Sequence, residues 1–170
     1  MRTLLPLALA APLLATAVPA AVKAPQVKTQ SFEQLKQPLP LPYDEQAAGT
    51  PAVDKARARA KAAHKLLLID LGGNWCLDCR ILAGTMDLPE VAAWVRRHYE
   101  VVTVNVGRFD KNLDVPARYG ITKRLEGVPS LLIVNPRSDT LLNSGRTAAL
   151  ADARHMSPQG LADYLATFAR

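Results

Sequence analysis

Residues 66–80 have the sequence LLLIDLGGNWCLDCR, which joins a buried-strand pattern to two closely spaced cysteines. The apolar run 66–69 predicts a strand that ends at Asp70, and the glycines and asparagine after it predict a turn. From Cys76 to about Met86 the chain is expected to be helical. The C-x-x-C pair therefore begins a helix that follows a strand, a context typical of redox-active cysteines.

The expected position of Cys76 at a helix N-terminus favours its thiolate form. Unpaired backbone N–H groups and the positive end of the helix dipole both stabilise negative charge there. Only the thiolate attacks a disulfide. Cys79 lies one turn later, where it can displace a client from a mixed disulfide with Cys76. The spacing therefore predicts a nucleophile that clients can reach, followed by a resolving cysteine.

Two other interpretations of the cysteine pair are a structural disulfide and half of a zinc site. A bridge across C-x-x-C closes a very small loop, so it removes little entropy from the unfolded chain. Zinc sites use four ligands, and the three histidines, His64, His98 and His155, show no paired spacing. The strand and the turn before the pair favour redox function, and no metal site is expected.

The first residues of the chain indicate export. Arg2 precedes the apolar stretch 4–18, and small residues follow, so residues 1–20 are predicted to be a signal peptide cleaved after Ala20 or Ala21. A membrane anchor needs about 20 uninterrupted apolar residues, and this stretch is shorter and contains prolines. We therefore expect a periplasmic or secreted protein that is not embedded in the membrane.

Residues 21–51 are rich in proline and are predicted to be an extension or linker that either covers the active site or tethers the domain. Residues 52–170 are predicted to form the compact domain. Beyond the first strand and helix, its expected elements are helices at 52–64, 87–98, 115–119 and after Ser157, and strands at 101–106, 130–134 and 141–142. Asp87 is expected to cap its helix, with Glu90 three residues later. This order predicts an α/β fold with a central mixed sheet flanked by helices.

The chain is moderately basic, with a formal net charge of +6. The densest basic run, residues 55–61, alternates lysine and arginine with alanine, so its charges spread around a helix. That pattern favours a solvated helix face over a phosphate-binding stripe. No nucleic-acid partner is expected.

Residues 75–80 resemble the W-C-x-x-C-[KR] motif of the thioredoxin superfamily, and the likeness extends over about 65–168. Asp70 occupies the place of that family's buried carboxylate, and Val128-Pro129 is similar to its cis-proline segment. The resemblance implies a thioredoxin fold that needs no prosthetic group. It also implies roles for six residues: Cys76, Cys79 and Asp70 as catalytic groups, with Asp70 carrying protons, and Trp75, Val128 and Pro129 as substrate contacts.

Several of these roles have plainer alternatives. Asp70 could be a strand-end residue bonded to the backbone, Pro129 could be trans as most prolines are, and Trp75 could be only a packing residue. Lys123 and Arg124 lie in a loop longer than that of thioredoxin and are expected to be solvated.

Segments 72–76 and 87–90 are similar to those of periplasmic relatives, among them the C-terminal domain of a membrane electron transporter. A reductase of protein disulfides is expected, because the couple is predicted to be comparatively reducing. A thiol reductase in this compartment needs an electron donor, so a membrane electron transporter is an expected partner, and a monomer is expected. Asp78 should oppose a thiolate at Cys76, with partial compensation by Arg80, which predicts a comparatively reducing couple. The alternative is a thioredoxin-like chaperone or metallochaperone that binds a client without turnover.

Overall fold

A computed structural model describes residues 22–169. The predicted signal peptide therefore lies outside the described residues. The helices and strands are α1 (Gly49–Ala62), β1 (Leu66–Gly72), α2 (Leu77–Met86), α3 (Pro89–His98), β2 (Tyr99–Asn105), α4 (Asp114–Arg118), β3 (Ser130–Asn135), β4 (Thr140–Leu141) and α5 (Pro158–Ala166). Among the described residues, no helix is both long and apolar enough to cross a bilayer.

The four strands form one mixed sheet in the order β2-β1-β3-β4. Strand β1 runs parallel to β2 and antiparallel to β3. Asp70 is therefore flanked by Thr103 on one side and by Leu131 on the other. The α/β class and the central mixed sheet flanked by helices are confirmed.

Both faces of the sheet are covered, which explains why every residue of β1 is buried. Leu66 and Leu68 pack on one side with the buried residues of α2, α3 and α5. Leu67 and Ile69 pack on the other side with α1 and α4. Because side chains alternate along a strand, Asp70 points to the same face as Leu68, beneath the N-terminal end of α2.

Two helix boundaries differ from the prediction, at the start of α1 and at Asp87. Helix α1 begins at Gly49, three residues before the predicted start at residue 52, so residues 49–51 are helical and not part of an extended linker. Ser157 caps α5 as predicted, since its hydroxyl accepts a hydrogen bond from the Gly160 N–H at 3.1 Å. The predicted Asp87 cap is wrong, because the Asp87 N–H bonds to the Ala83 carbonyl and completes the end of α2. Glu90 instead accepts a hydrogen bond from the Lys28 N–H.

Residues 22–48 lie against the sheet domain. A short 3-10 helix spans Phe32–Gln34, and four apolar side chains of the segment are buried: Val27, Leu35, Leu39 and Tyr43. The backbone N–H of Val27 donates to the Gln159 side chain of α5 at 2.8 Å. The segment thus crosses the face that carries α2, α3 and α5, and its C-terminal part reaches the cysteines. The sequence left open whether this segment covers the active site or tethers the domain; in the structure it packs along the domain, and its Tyr43 bonds to Asp70.

Candidate active site

The two cysteines stand at the beginning of α2 and form a disulfide, with their Cα atoms 5.3 Å apart. Cys76 is the N-cap residue, and its Sγ accepts a hydrogen bond from the Cys79 N–H at 3.1 Å. The unpaired N–H groups of the first helical turn therefore point toward Cys76, as the sequence predicted. Cys79 is fully buried, whereas Cys76 keeps 5% of its surface exposed. The prediction of an accessible Cys76 is corrected to a residue with only a small opening to solvent.

Asp70 lies in the middle of the sheet with no exposed surface. Its Oδ1 accepts a hydrogen bond from the Tyr43 hydroxyl at 2.8 Å, while its Oδ2 has no partner. Burial raises the pKa of Asp70 to about 7, and the hydrogen bond from Tyr43 opposes that rise. This side chain is therefore not the backbone-bonded strand end offered as the alternative. It is a buried acid that changes protonation near neutral pH.

Gly72 shows how closely these groups meet. A Cβ atom on Gly72 would have both the Tyr43 hydroxyl oxygen and the Cys79 Sγ within 2.7 Å. Gly72 follows Asp70 by two residues, so both face the same side of the sheet. Glycine is required at this position because the phenol and the resolving sulfur occupy the space that a side chain would fill.

Tyr43 is the residue of the site that sequence reasoning missed. It lies on the N-terminal segment, and no motif connects it with the cysteines. No local signal marks Tyr43, since the same proline-rich stretch also contains Phe32 and several valines and leucines. Its backbone is held by Asn74, which accepts from the Tyr43 N–H at 3.1 Å and donates to the Tyr43 carbonyl at 2.8 Å.

Val128 and Pro129 face the cysteines across the site. The peptide bond between them is cis. The Val128 carbonyl oxygen lies 3.4 Å from the Cys76 Sγ, and both Val128 and Pro129 are buried. The structure therefore brings this segment next to Cys76, where the resemblance placed it.

Trp75 borders the same opening and is 42% exposed. Its indole N–H donates to the Gly107 carbonyl at 2.8 Å, and the guanidinium of Arg108 stacks 4.3 Å from its ring. The Phe109 ring packs edge-on against Trp75, and the guanidinium of Arg124 lies over the Phe109 ring. Trp75 is thus a fixed, exposed aromatic surface beside Cys76, and Arg124 is ordered against an aromatic ring.

Asp78, between the cysteines, is nearly buried and pairs with Arg154. The Arg154 backbone N–H and Nε donate to its Oδ1 at 2.9 and 3.0 Å. Partial burial favours the neutral acid, but the hydrogen bonds and charge of Arg154 outweigh it and hold the pKa of Asp78 below its usual value. Arg80 does not pair with Asp78, since its guanidinium donates to the carbonyls of Leu39 and Pro40. The neutralising charge comes from Arg154, which lies far away in sequence.

Comparison with known proteins places this arrangement in a family. The family model described as thioredoxin-like matches residues 48–136, which contain both cysteines, Asp70 and the Val128–Pro129 bond. The chain belongs to the thioredoxin-like family. The thioredoxin fold predicted from residues 75–80 is confirmed.

Two relatives of this thioredoxin-like protein define how far the similarity extends. A solved structure of a disulphide isomerase from Xylella fastidiosa Temecula1 is 39% identical, with a TM-score of 0.69 over 75% of this chain and 96% of that one. A thioredoxin from Thiocapsa roseopersicina is 31% identical over 67 residues, which are 39% of this chain and 64% of the relative. The chain thus spans less than two thirds of that thioredoxin.

Within residues 22–169, no group of three or more histidine, cysteine, aspartate or glutamate side chains is arranged to hold a metal ion.

Proposed function

We propose that this protein is an exported thiol–disulfide oxidoreductase that reduces disulfide bonds in client proteins through Cys76 and Cys79. The observation that carries the proposal is the disulfide at the N-terminus of α2, directly above a buried carboxyl group that titrates near neutral pH. Membership in the thioredoxin-like family and the similarity to a disulphide isomerase support it.

The reduced protein begins the reaction through the exposed edge of Cys76. Its thiolate attacks a client disulfide, the client S–S bond breaks, and one client sulfur becomes bonded to Cys76 while the other leaves as a thiolate. The first-turn N–H groups of α2 stabilise the attacking thiolate. Trp75 and the Val128–Pro129 segment border this opening, so they are the residues positioned to contact the client.

The second step releases the client. The Asp70 carboxylate accepts the proton of the Cys79 thiol, and the resulting thiolate attacks the Cys76 sulfur. The bond between Cys76 and the client breaks, the second client sulfur leaves as a thiolate, and the Cys76–Cys79 disulfide forms. Two electrons have passed from the dithiol to the client. A pKa of about 7 suits Asp70 to this transfer because the carboxylate is present near neutral pH and binds a proton readily.

A disulfide product must be reduced again before another turnover. We propose that a dithiol donor in the membrane supplies these electrons, that the protein acts as a monomer, and that residues 1–20 direct its export. N-terminal sequencing of the mature protein from the periplasmic fraction tests export. A new N-terminus after Ala20 or Ala21 supports it, and an intact Met1 contradicts it.

Insulin reduction by a dithiol donor tests the proposed activity. The wild type should accelerate precipitation of the insulin B chain, and Cys76→Ser should lose that activity. Turnover that survives Cys76→Ser contradicts the mechanism. A protein that binds unfolded clients equally well with and without Cys76 and never reduces insulin is a chaperone, which is the competing function.

Isomerisation is a second activity that the same site supports, since the disulphide isomerase structure is 39% identical to this chain. Isomerisation needs the attack by Cys76, but the client can release itself through its own thiol. Cys79→Ser separates the two activities. Retained refolding of scrambled ribonuclease with lost insulin reduction indicates isomerisation, whereas loss of both, with clients trapped on Cys76, indicates reduction.

A further inference from the structure

We propose that Tyr43 is a positioning residue of the active site, whose hydroxyl group holds the Asp70 carboxylate as the proton acceptor for Cys79. This inference rests on the proposed redox function. It assigns a role in the reaction to a residue of the N-terminal segment, outside the sheet and its helices.

The contact between Tyr43 and Asp70 is direct and directional. The phenol O–H donates to Oδ1 at 2.8 Å and leaves Oδ2 without a partner in a buried environment. The position that a Gly72 Cβ would occupy has the phenol oxygen and the Cys79 Sγ as its neighbours. The phenol, the carboxyl group and the resolving sulfur therefore meet at one point beneath α2. The unpartnered Oδ2 is the oxygen available for the thiol proton.

The backbone around Tyr43 is fastened to the elements that carry the site. Asn74, two residues before Cys76, forms two hydrogen bonds with the Tyr43 backbone. The Thr103 hydroxyl donates to the Pro42 carbonyl at 2.9 Å, and Thr103 is the β2 neighbour of Asp70. The phenol is thus positioned by the turn before the cysteines and by the strand beside the carboxyl group.

The other groups that face Asp70 do not compete with the Tyr43 phenol as hydrogen-bond donors to the Asp70 carboxyl group. On the flanking strands, Thr103 uses its hydroxyl for Pro42, and Leu131 is apolar. Helix α2 contributes Cys79. Among residues 22–169, no lysine, arginine or histidine forms a salt bridge with Asp70. Burial, followed by the charge of Asp70, raises the pKa of Tyr43, so the phenol keeps its proton and remains a donor.

Removal of the Tyr43 hydroxyl group alone should therefore change the pKa of Asp70. In Tyr43→Phe the carboxylate loses the hydrogen bond that stabilises its charge, while the ring still fills its place. The pKa of Asp70 should rise by about 1 unit or more, because hydrogen bonds to charged groups are among the strong ones. The acid limb of the pH profile for client release should move to higher pH by the same amount.

The experiment compares Tyr43→Phe with Tyr99→Phe in the full-length protein. Tyr99 is a matched control, since it is also buried and donates its hydroxyl to the Leu165 carbonyl at 2.7 Å. It begins β2 opposite Leu66, at the end of the strand away from Asp70. Two readouts are used: carboxyl ¹³C NMR titration of Asp70 in the oxidised protein, and the pH dependence of insulin reduction. Tyr43→Phe should shift both upward, and Tyr99→Phe should shift neither.

The outcomes separate the two proposals. If Tyr43→Phe leaves the Asp70 titration unchanged, or if Tyr99→Phe shifts it equally, the role of Tyr43 is overturned whatever the activity. If the wild type never reduces insulin, the proposed function fails, while the NMR titration still decides whether Tyr43 controls Asp70. Should Tyr43→Phe fail to fold, Thr103→Val gives the second measurement. It removes only the anchor of the Pro42 carbonyl and should produce a smaller shift in the same direction, and an unchanged titration overturns the proposal.

Discussion

Replacing Asp70 with asparagine should stabilise the oxidised protein at neutral and alkaline pH and change little in acid. The pKa of Asp70 rises from 3.8 to about 7 in the folded protein because the carboxyl group is buried. Below the unfolded value both states bind the proton and folding carries no penalty. As pH rises toward 7 the unfolded chain gives up its proton while the folded protein retains it, so stability falls. Each unit corresponds to about 1.4 kcal/mol, which makes the full loss about 4 kcal/mol.

Asparagine has no such penalty because it stays neutral and can still accept the hydrogen bond from Tyr43. The assay is urea unfolding of the oxidised wild type and Asp70→Asn at several pH values, since the disulfide removes the cysteines from the titration. The free energy of unfolding gained by the variant should grow between about pH 4 and pH 7 and then level off. Thr85→Val is the control, because it removes the other unpartnered buried oxygen without removing a titratable group. A difference between Asp70→Asn and wild type that is the same at every pH would refute the reasoning.

The structure makes two further predictions. Arg154→Ala should raise the pKa of the Cys76 thiol and make the couple more reducing by roughly 20 mV, because the charge of Asp78 is then uncompensated beside the thiolate. Asp78→Asn should change the potential in the opposite direction, and equal potentials for both variants in glutathione equilibration would contradict this. Gly72→Ala should lower the free energy of unfolding by about 1–3 kcal/mol because its methyl group overlaps the Tyr43 hydroxyl and the Cys79 sulfur. If Gly72→Ala is as stable as the wild type in urea, the Tyr43 hydroxyl and the Cys79 sulfur are not packed tightly against position 72.

The parts of the molecule that the sequence predicted are those with local signals. The strand before the cysteines, the turn and α2 are adjacent in the chain, and their apolar run, glycines and C-x-x-C spacing mark each one. Ser157 was identifiable as a cap because its partner is three residues away. Asp87 carries the same kind of signal, yet the end of α2 uses its backbone, so the neighbouring element decided the outcome.

The parts that the sequence missed depend on contacts between distant residues. Tyr43 reaches Asp70 across 27 positions, and Arg154 reaches Asp78 across 76. Neither contact leaves a periodic or motif-like trace, so nothing local distinguishes Tyr43 from other residues of a proline-rich stretch. Arg80 was the nearer arginine in sequence, but its side chain extends along the N-terminal segment rather than toward Asp78.

The path of residues 22–48 bears on how this protein should be cut for study. The residues that the thioredoxin-like family model matches begin at residue 48, shortly after Tyr43. A recombinant fragment that begins at residue 48 would keep both cysteines and Asp70, yet omit the phenol that donates a hydrogen bond to Asp70. Without the N-terminal segment, water would reach Asp70, and the pKa of Asp70 would fall toward that of a carboxyl group on the surface. The part of the chain that the family model matches is therefore shorter than the part that builds the site, because it lacks the tyrosine that contacts the buried acid.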